Sequence, residues 1–265
     1  MDIRALIFDI NGTLIDIETD ERMEQAYRAI AHFLMYQGIT LHRWEVLDLY
    51  FQIMKEQFER STEMFPEFDV VAVWREVLER QGSEFTRSLL PGKLQQLPMF
   101  LAELQRGISR KRLSLFPQVL EVLNRLKEHY LLAVVSDAQS AYALPELRAV
   151  GLHEYFNPVV ISGDYGYRKP DARLFRTALD GLQVSPGQAI FIGHELTEQT
   201  ARLLSQGVMT MTIDQNVERQ ARAAIDVLLR RFGYPPQAEA NEIVPFSIYG
   251  PENLVPIDDA GTDVP

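Results

Sequence analysis

Asp9, in the run Ala5-Leu6-Ile7-Phe8-Asp9-Ile10-Asn11-Gly12-Thr13, is a carboxylate placed where chemistry can be done. A short apolar run that stops at an acid and a turn pair reads as a buried strand with Asp9 at its C-terminal tip, where open parallel sheets carry their chemistry. Three later apolar runs end in the same way. Residues 131–135 lead to Ser136-Asp137, residues 159–161 to Arg168-Lys169-Pro170-Asp171, and residues 189–192 to Gly193-His194-Glu195. In a parallel sheet these four loops share one edge, so a carboxylate, a hydroxyl, an ammonium and further acids can meet there. Each group also has a plainer role. Asp-x-Asn-Gly is good turn chemistry, Ser136 and Asp137 can cap the helix that follows, and Lys169 alone is a surface lysine.

The elements that position these residues follow from periodicity. After the first strand the pattern is helical for about a hundred residues. Met23, Tyr27, Ile30 and Leu34 share one face, Leu47, Tyr50, Phe51, Met54 and Phe58 a second, and Val70, Val73, Trp74, Val77 and Leu78 a third. A fourth helix spans 94–106, with breaks at Gly38, Pro66, Gly82 and Pro91-Gly92. From Pro117 onward strands and helices alternate, which predicts βαβ units and a parallel sheet covered on both faces. Strands are expected at 131–135, 159–161, 189–192 and 208–213, and a last helix at 217–232. The expected fold is α/β: a doubly wound, Rossmann-like core of about five parallel strands with an inserted all-helical cap. The core takes residues 1–15 and 113–232, the cap 16–112, and an acidic, Pro-rich, largely irregular tail 233–265. Within the tail, 243–249 is apolar enough to dock on the body or on a neighbour.

Composition narrows the function classes. The chain has 265 residues, 46% hydrophobic and 24% charged, a formal net charge of -11 and no cysteine. Disulfides and thiolate metal sites are excluded, and a cytoplasmic location is expected. No apolar stretch is long enough for a bilayer-spanning helix. The one basic run, Arg110-Lys111-Arg112, reads as a solvated helix end rather than a nucleic-acid stripe. The expected partner is a small molecule, with neither nucleic acid nor membrane.

Taken in order, the four loops resemble the haloacid dehalogenase-like hydrolase superfamily from about residue 3 to 213. Asp9-Ile10-Asn11-Gly12-Thr13 matches its Asp-x-Asp-Gly-Thr motif, Ser136 its strand-tip Ser or Thr, Lys169-Pro170 its Lys-Pro, and Gly193-His194 with Glu195, Glu198 and Gln199 its Gly-Asp-and-acid motif. The helical insert is similar to the family's cap. The resemblance implies Asp9 as nucleophile, Asn11 and Lys169 as catalytic neighbours, and Gly12, Thr13, Ser136, Asp137 and Arg168 around a phosphate. It implies Mg²⁺ on Asp9, the backbone carbonyl of Asn11, Glu195 and His194, and a small phosphate ester as substrate. Two positions depart from the pattern. Asn11 stands where phosphatases of the family carry an acid that protonates the leaving group, and an amide cannot do so. His194 stands where an acid would hold the metal, and neutral imidazole is a poor Mg²⁺ ligand. A metal-independent 2-haloacid dehalogenase, with Arg22, Arg28 or Arg43 binding carboxylate or halide, and a catalytically impaired binding or regulatory protein are the alternative readings.

Overall fold

The computed structural model describes residues 2–193, 201, 204–205, 212–214 and 247–249. In chain order, β1 (Ala5–Phe8) and β2 (Ile15–Thr19) precede five helices: α1 (Glu24–Tyr36), α2 (Arg43–Arg60), α3 (Val70–Gln81), the single turn α4 (Glu84–Arg87) and α5 (Pro91–Ser109). Then come β3 (Arg110–Leu115), α6 (Val119–Leu126), β4 (Leu131–Ser136), α7 (Ser140–Ala149), β5 (Val159–Ile161), α8 (Ala172–Leu182) and β6 (Ala189–Ile192). Short strands β7 (Thr212–Asp214) and β8 (Ser247–Tyr249) complete the described elements.

Among the described residues the core is a four-stranded parallel sheet in the order β5-β4-β1-β6. All four residues of β1 are buried, as a central strand covered on both faces requires. Side chains alternate between the faces. Ala5, Ile7, Ala133 and Val135 pack with Leu174, Phe175 and Leu179 of α8. Leu6, Phe8, Leu132 and Val134 pack with Leu123 of α6 and Leu147 of α7. The sheet is therefore doubly wound. Asp171 caps α8 by accepting from the Arg173 N–H, and Gln183, at φ 57°, ends it in the left-handed region. Among the described residues no helix is long and apolar enough to cross a membrane.

Helices α1, α2, α3 and α5 form a separate layer around Tyr27, Ile30, Leu34, Trp74, Val77 and Leu101. Trp74 is wholly buried, and its indole N–H donates to Gln105 Oε1 at 3.1 Å. Pro91 opens α5 at its first turn, where a missing N–H costs nothing, so Pro91-Gly92 begins a helix instead of separating two. The layer is joined to the core by an antiparallel ribbon of β2 and β3, paired from Ile15↔Leu115 to Thr19↔Arg110.

Arg110 caps the end of α5, as the expected helix end requires, but with Lys111 and Arg112 it also opens β3. Arg112 pairs with Asp16 and Glu18 of β2, each at 2.9 Å, and Lys111 with Asp20 at 3.2 Å, so cross-strand charge pairing selects the ribbon. The strand expected at 208–213 is described only from Thr212. There it pairs antiparallel with β8 (Thr212↔Tyr249), and residues 208–211 lie outside the described residues. The apolar part of the tail supplies that partner. The helix expected at 217–232, and the tail apart from β8, lie outside the described residues.

Candidate active site

Asp9 sits one residue past β1, and its N–H donates to the Ile192 carbonyl at 2.9 Å, which extends the β1–β6 ladder to the acid. The residue is 8% exposed. The chain then reverses. Gly12 adopts φ 76°, and the N–H groups of Thr13, Leu14 and Ile15 all turn back on the Ile10 carbonyl, at 3.2, 2.8 and 3.0 Å. A left-handed residue is required in this turn, which glycine takes without strain. Gly193 follows β6 beside Asp9, where an added Cβ would lie 2.7 Å from the Phe191 ring.

Lys169 reaches Asp9 from the loop after β5, with Nζ 2.8 Å from Oδ1. Its backbone N–H donates to Asp137 Oδ1 at 2.8 Å. The loops after β1, β4 and β5 are thus tied together through one lysine. Asp137 is open toward the cavity beside it, yet crowding by protein pushes its carboxyl above the usual range. Lys169 opposes that shift and Asp9 adds to it. Ser136 closes β4. Its hydroxyl is buried and has no hydrogen-bond partner. A buried hydroxyl left unpaired costs about 1–3 kcal/mol, so this one is suited to a ligand oxygen.

Asn11 and Asp137 line a cavity of about 380 Å³ between the core and the helical layer. Its walls include Tyr50, Phe51, Arg106 and Tyr142. Burial raises the Tyr50 and Tyr142 phenols well above their ordinary value, so both stay neutral. Arg106 carries the positive charge, but Glu146 already holds it twice (Nε to Oε1 2.7 Å, Nη2 to Oε2 3.2 Å) and Glu21 once (Nη1 to Oε1 3.2 Å). Gly12 and Thr13 line a different recess of about 290 Å³ with Phe8, Pro117 and Val119. The side chain of Arg168 is exposed, although its charge is felt by Asp137 and Glu67.

Asp9, Lys169 and Asp137 are therefore in direct chain contact, Ser136 adjoins Asp137, and Asn11 shares the cavity with Asp137. His194, Glu195, Glu198 and Gln199 lie outside the described residues. Among the described residues no three His, Cys, Asp or Glu side chains converge where a cation could sit. Lys169 engages Oδ1 of Asp9, the one acid of the expected metal set that is described. An octahedral Mg²⁺ site takes several hard oxygen ligands, and Glu195 and His194 of the expected set lie outside the described residues. Of the three arginines, Arg22 lies nearest the cavity, its guanidinium 4.1 Å from the Phe51 ring centre. Arg43 pairs with Glu24 at 2.7 Å, and Arg28 is exposed.

Sequence reading missed Arg106, Glu146, Gln139 and Glu67. The Arg106–Glu146 partners stand 40 positions apart, so no local pattern marks them. The break at Pro66 was the one signal near Glu67. Of the cap aromatics, Tyr50 and Phe51 line the cavity, whereas Trp74 is core and Trp44 is exposed.

Comparison with known proteins agrees with this arrangement. A glyceraldehyde 3-phosphate phosphatase of Methanothermobacter thermautotrophicus is 22% identical over 226 residues, covering 84% of this chain and 91% of that protein. An (S)-2-haloacid dehalogenase of Burkholderia cepacia is 24% identical over 197 residues, covering 72% and 74%. The solved 2-haloacid dehalogenase of Pseudomonas syringae pv. Tomato DC3000 is alike in fold, with a TM-score of 0.51 at 22% identity over 73% of this chain and 78% of that one. The family model for haloacid dehalogenase-like hydrolases matches residues 3–198. With a doubly wound sheet presenting an acid, a hydroxyl and a lysine at its strand tips, and that match over most of its length, the chain belongs to the haloacid dehalogenase-like hydrolases.

Proposed function

We propose that this hydrolase acts on a small phosphate ester through a covalent aspartyl-phosphate on Asp9. The observation that carries the reading is the 2.8 Å contact between Lys169 Nζ and Asp9 Oδ1, beside the unpartnered Ser136 hydroxyl. Asp9 attacks phosphorus, a P–O bond forms, and the bond to the leaving oxygen breaks with its electron pair. Lys169 offsets charge on the carboxylate and the incoming phosphoryl group. The Ser136 hydroxyl donates to a phosphoryl oxygen. Water then attacks phosphorus, frees inorganic phosphate and regenerates Asp9. A Mg²⁺ ion on the expected ligands would supply charge neutralisation at the phosphoryl group. Of the expected ligands only Asp9 and the Asn11 carbonyl are among the described residues. Asn11 gives no proton to the leaving group, so the reading favours substrates whose leaving group departs as a stable anion, such as aryl phosphate esters or the acyl phosphate anhydrides. A cytoplasmic location belongs to the same proposal, supported by a chain without cysteine.

Asn11 on the cavity wall favours one second reading, a 2-haloacid dehalogenase. There Asp9 displaces halide from carbon, the halide leaves with its electron pair and needs no proton, and water hydrolyses the ester. One assay series separates the two. Acyl phosphate and p-nitrophenyl phosphate are tested with Mg²⁺ and with EDTA, and 2-chloropropionate with EDTA, on wild type and Asp9→Asn. Phosphate release lost in Asp9→Asn supports the phosphatase, and chloride release that survives EDTA supports the dehalogenase. Turnover unchanged in Asp9→Asn refutes both. No turnover in wild type but turnover in Asn11→Asp identifies an impaired, binding member.

A further inference from the structure

The loop that carries Lys169 is not held by the core alone. The segment between α2 and α3, from the helical layer, lies against it as a short antiparallel partner. Pro66 bridges Tyr167, the Glu67 N–H donates to the Gly166 carbonyl at 3.0 Å, and the Arg168 N–H donates to the Phe65 carbonyl at 2.9 Å. Those backbone bonds stop one residue short of Lys169. The Glu67 carboxylate accepts from the Ser162 hydroxyl at 2.8 Å, and Ser162 Oγ in turn accepts the Ala138 N–H at 3.0 Å. One carboxylate from the helical layer therefore reaches both loops that flank Lys169, because Ala138 follows the Asp137 that receives the lysine N–H. On the other side Gln139 clasps the same segment, with Nε2 donating to the Phe68 carbonyl at 2.7 Å and Oε1 accepting the Val70 N–H at 2.9 Å.

We propose that segment 65–70 is a positioning element for Lys169, with Glu67 as its positioning residue: docking of the helical layer through Glu67 and Gln139 sets the ammonium against Asp9, and undocking releases it. The proposal rests on the reading of Asp9 and Lys169 as the reacting pair. Layer closure and assembly of the charged pair are then one event, which ties water exclusion to chemistry. Glu67 is half-buried and its carboxyl is pushed up by that burial, so the carboxylate is held there against a solvation cost by its hydrogen bonds.

The test reads Lys169 directly, without substrate, so that its failure differs from failure of the assigned reaction. Full-length wild type, Glu67→Ala and Glu67→Gln are pulsed with acetic anhydride, and acetylation of Lys169 and Lys127 is followed by peptide mass spectrometry. Glu67→Ala is expected to speed Lys169 labelling roughly tenfold or more, the shift that follows loss of one charge-assisted hydrogen bond. Lys127, at the end of α6, stays at its wild-type rate. Glu67→Gln keeps an acceptor for Ser162 and restores slow labelling. Where turnover is measurable, Glu67→Ala lowers kcat with little change in KM. Should Glu67→Ala fail to fold, Gln139→Ala is read in the same way. Lys169 labelling equal to wild type in a folded variant, or an equal rise at Lys127, overturns the proposal.

Discussion

The Arg106–Glu146 pair joins the helical layer to the core, since Arg106 lies in α5 and Glu146 in α7. Its side chains are only 13% and 5% exposed, so both charges are largely out of water. Removing one partner of a buried pair costs about 3–5 kcal/mol when the survivor is left alone. Here neither survivor is alone. Arg106→Met leaves Glu146 with Arg110 at 3.3 Å, and Glu146→Met leaves Arg106 with Glu21 at 3.2 Å. Arg110 and Glu21 are more exposed, so each recovers part of the loss, and each single substitution should cost about 2–3 kcal/mol. Methionine keeps the packing of the stem over Tyr142, whose ring centre is 5.0 Å from the guanidinium carbon, but forfeits a cation–π term of about 0.5–1 kcal/mol. The double variant leaves no orphaned partner and should cost less than the two singles together, with a coupling of about 2 kcal/mol. At about 2–4 °C per kcal/mol for a chain of this size, each single variant should melt roughly 4–12 °C lower by calorimetry. A coupling below about 0.5 kcal/mol would falsify the claim that this seam rests on a desolvated pair.

Three other outcomes are expected. Asn11→Asp supplies the missing proton donor and should raise turnover of an alkyl phosphate such as glycerol phosphate, whose alkoxide leaving group needs a proton, by about 10²–10⁴-fold; an unchanged rate removes that residue from leaving-group chemistry. Gln105→Leu strands the Trp74 indole N–H and the acceptor side of Tyr27 Oη, now at 3.1 and 3.0 Å from it. This should cost about 1–3 kcal/mol, read as a lowered melting midpoint, and a neutral result would mean the two groups find other partners. Burial raises the native pKa of Glu67, so the native state binds its proton more tightly than the unfolded chain. Stability from that group is full at low pH and falls as pH rises past the ordinary carboxylate value. Glu67→Gln should therefore gain more in melting midpoint at about pH 8 than at about pH 4, and the reverse order would contradict the burial argument.

Asp9, Ser136 and Lys169 are legible in sequence because each ends, or closely follows, an apolar run, and a parallel sheet gathers such ends on one edge. The ribbon that anchors the helical layer carried a signal that was passed over. Ile15-Asp16-Ile17-Glu18 and Leu113-Ser114-Leu115 alternate with period two, but the neighbouring basic run suggested a helix end. Glu67 and Ser162 stand 95 positions apart, and no spacing rule links them. What brings them together is the packing of one layer on another, a property of the folded chain as a whole. The partner of β7 is hidden for a similar reason, because β8 comes from a distant stretch of chain that no local spacing rule reaches.

The ribbon of β2 and β3 carries a consequence of its own. Both connections to the helical layer leave the sheet side by side, so the ends of the insert are already brought together by their own ladder. Loop-closure entropy grows only slowly with the length of chain between fixed ends, so the length of the intervening segment adds little to the cost of closing the ribbon. Asp9 and Ser136 are anchored outside that segment. A graft made at Thr19 and Arg110 would therefore keep both ends in register, and it would have to replace the Arg106–Glu146 and Glu67–Ser162 contacts by which the present insert holds the core.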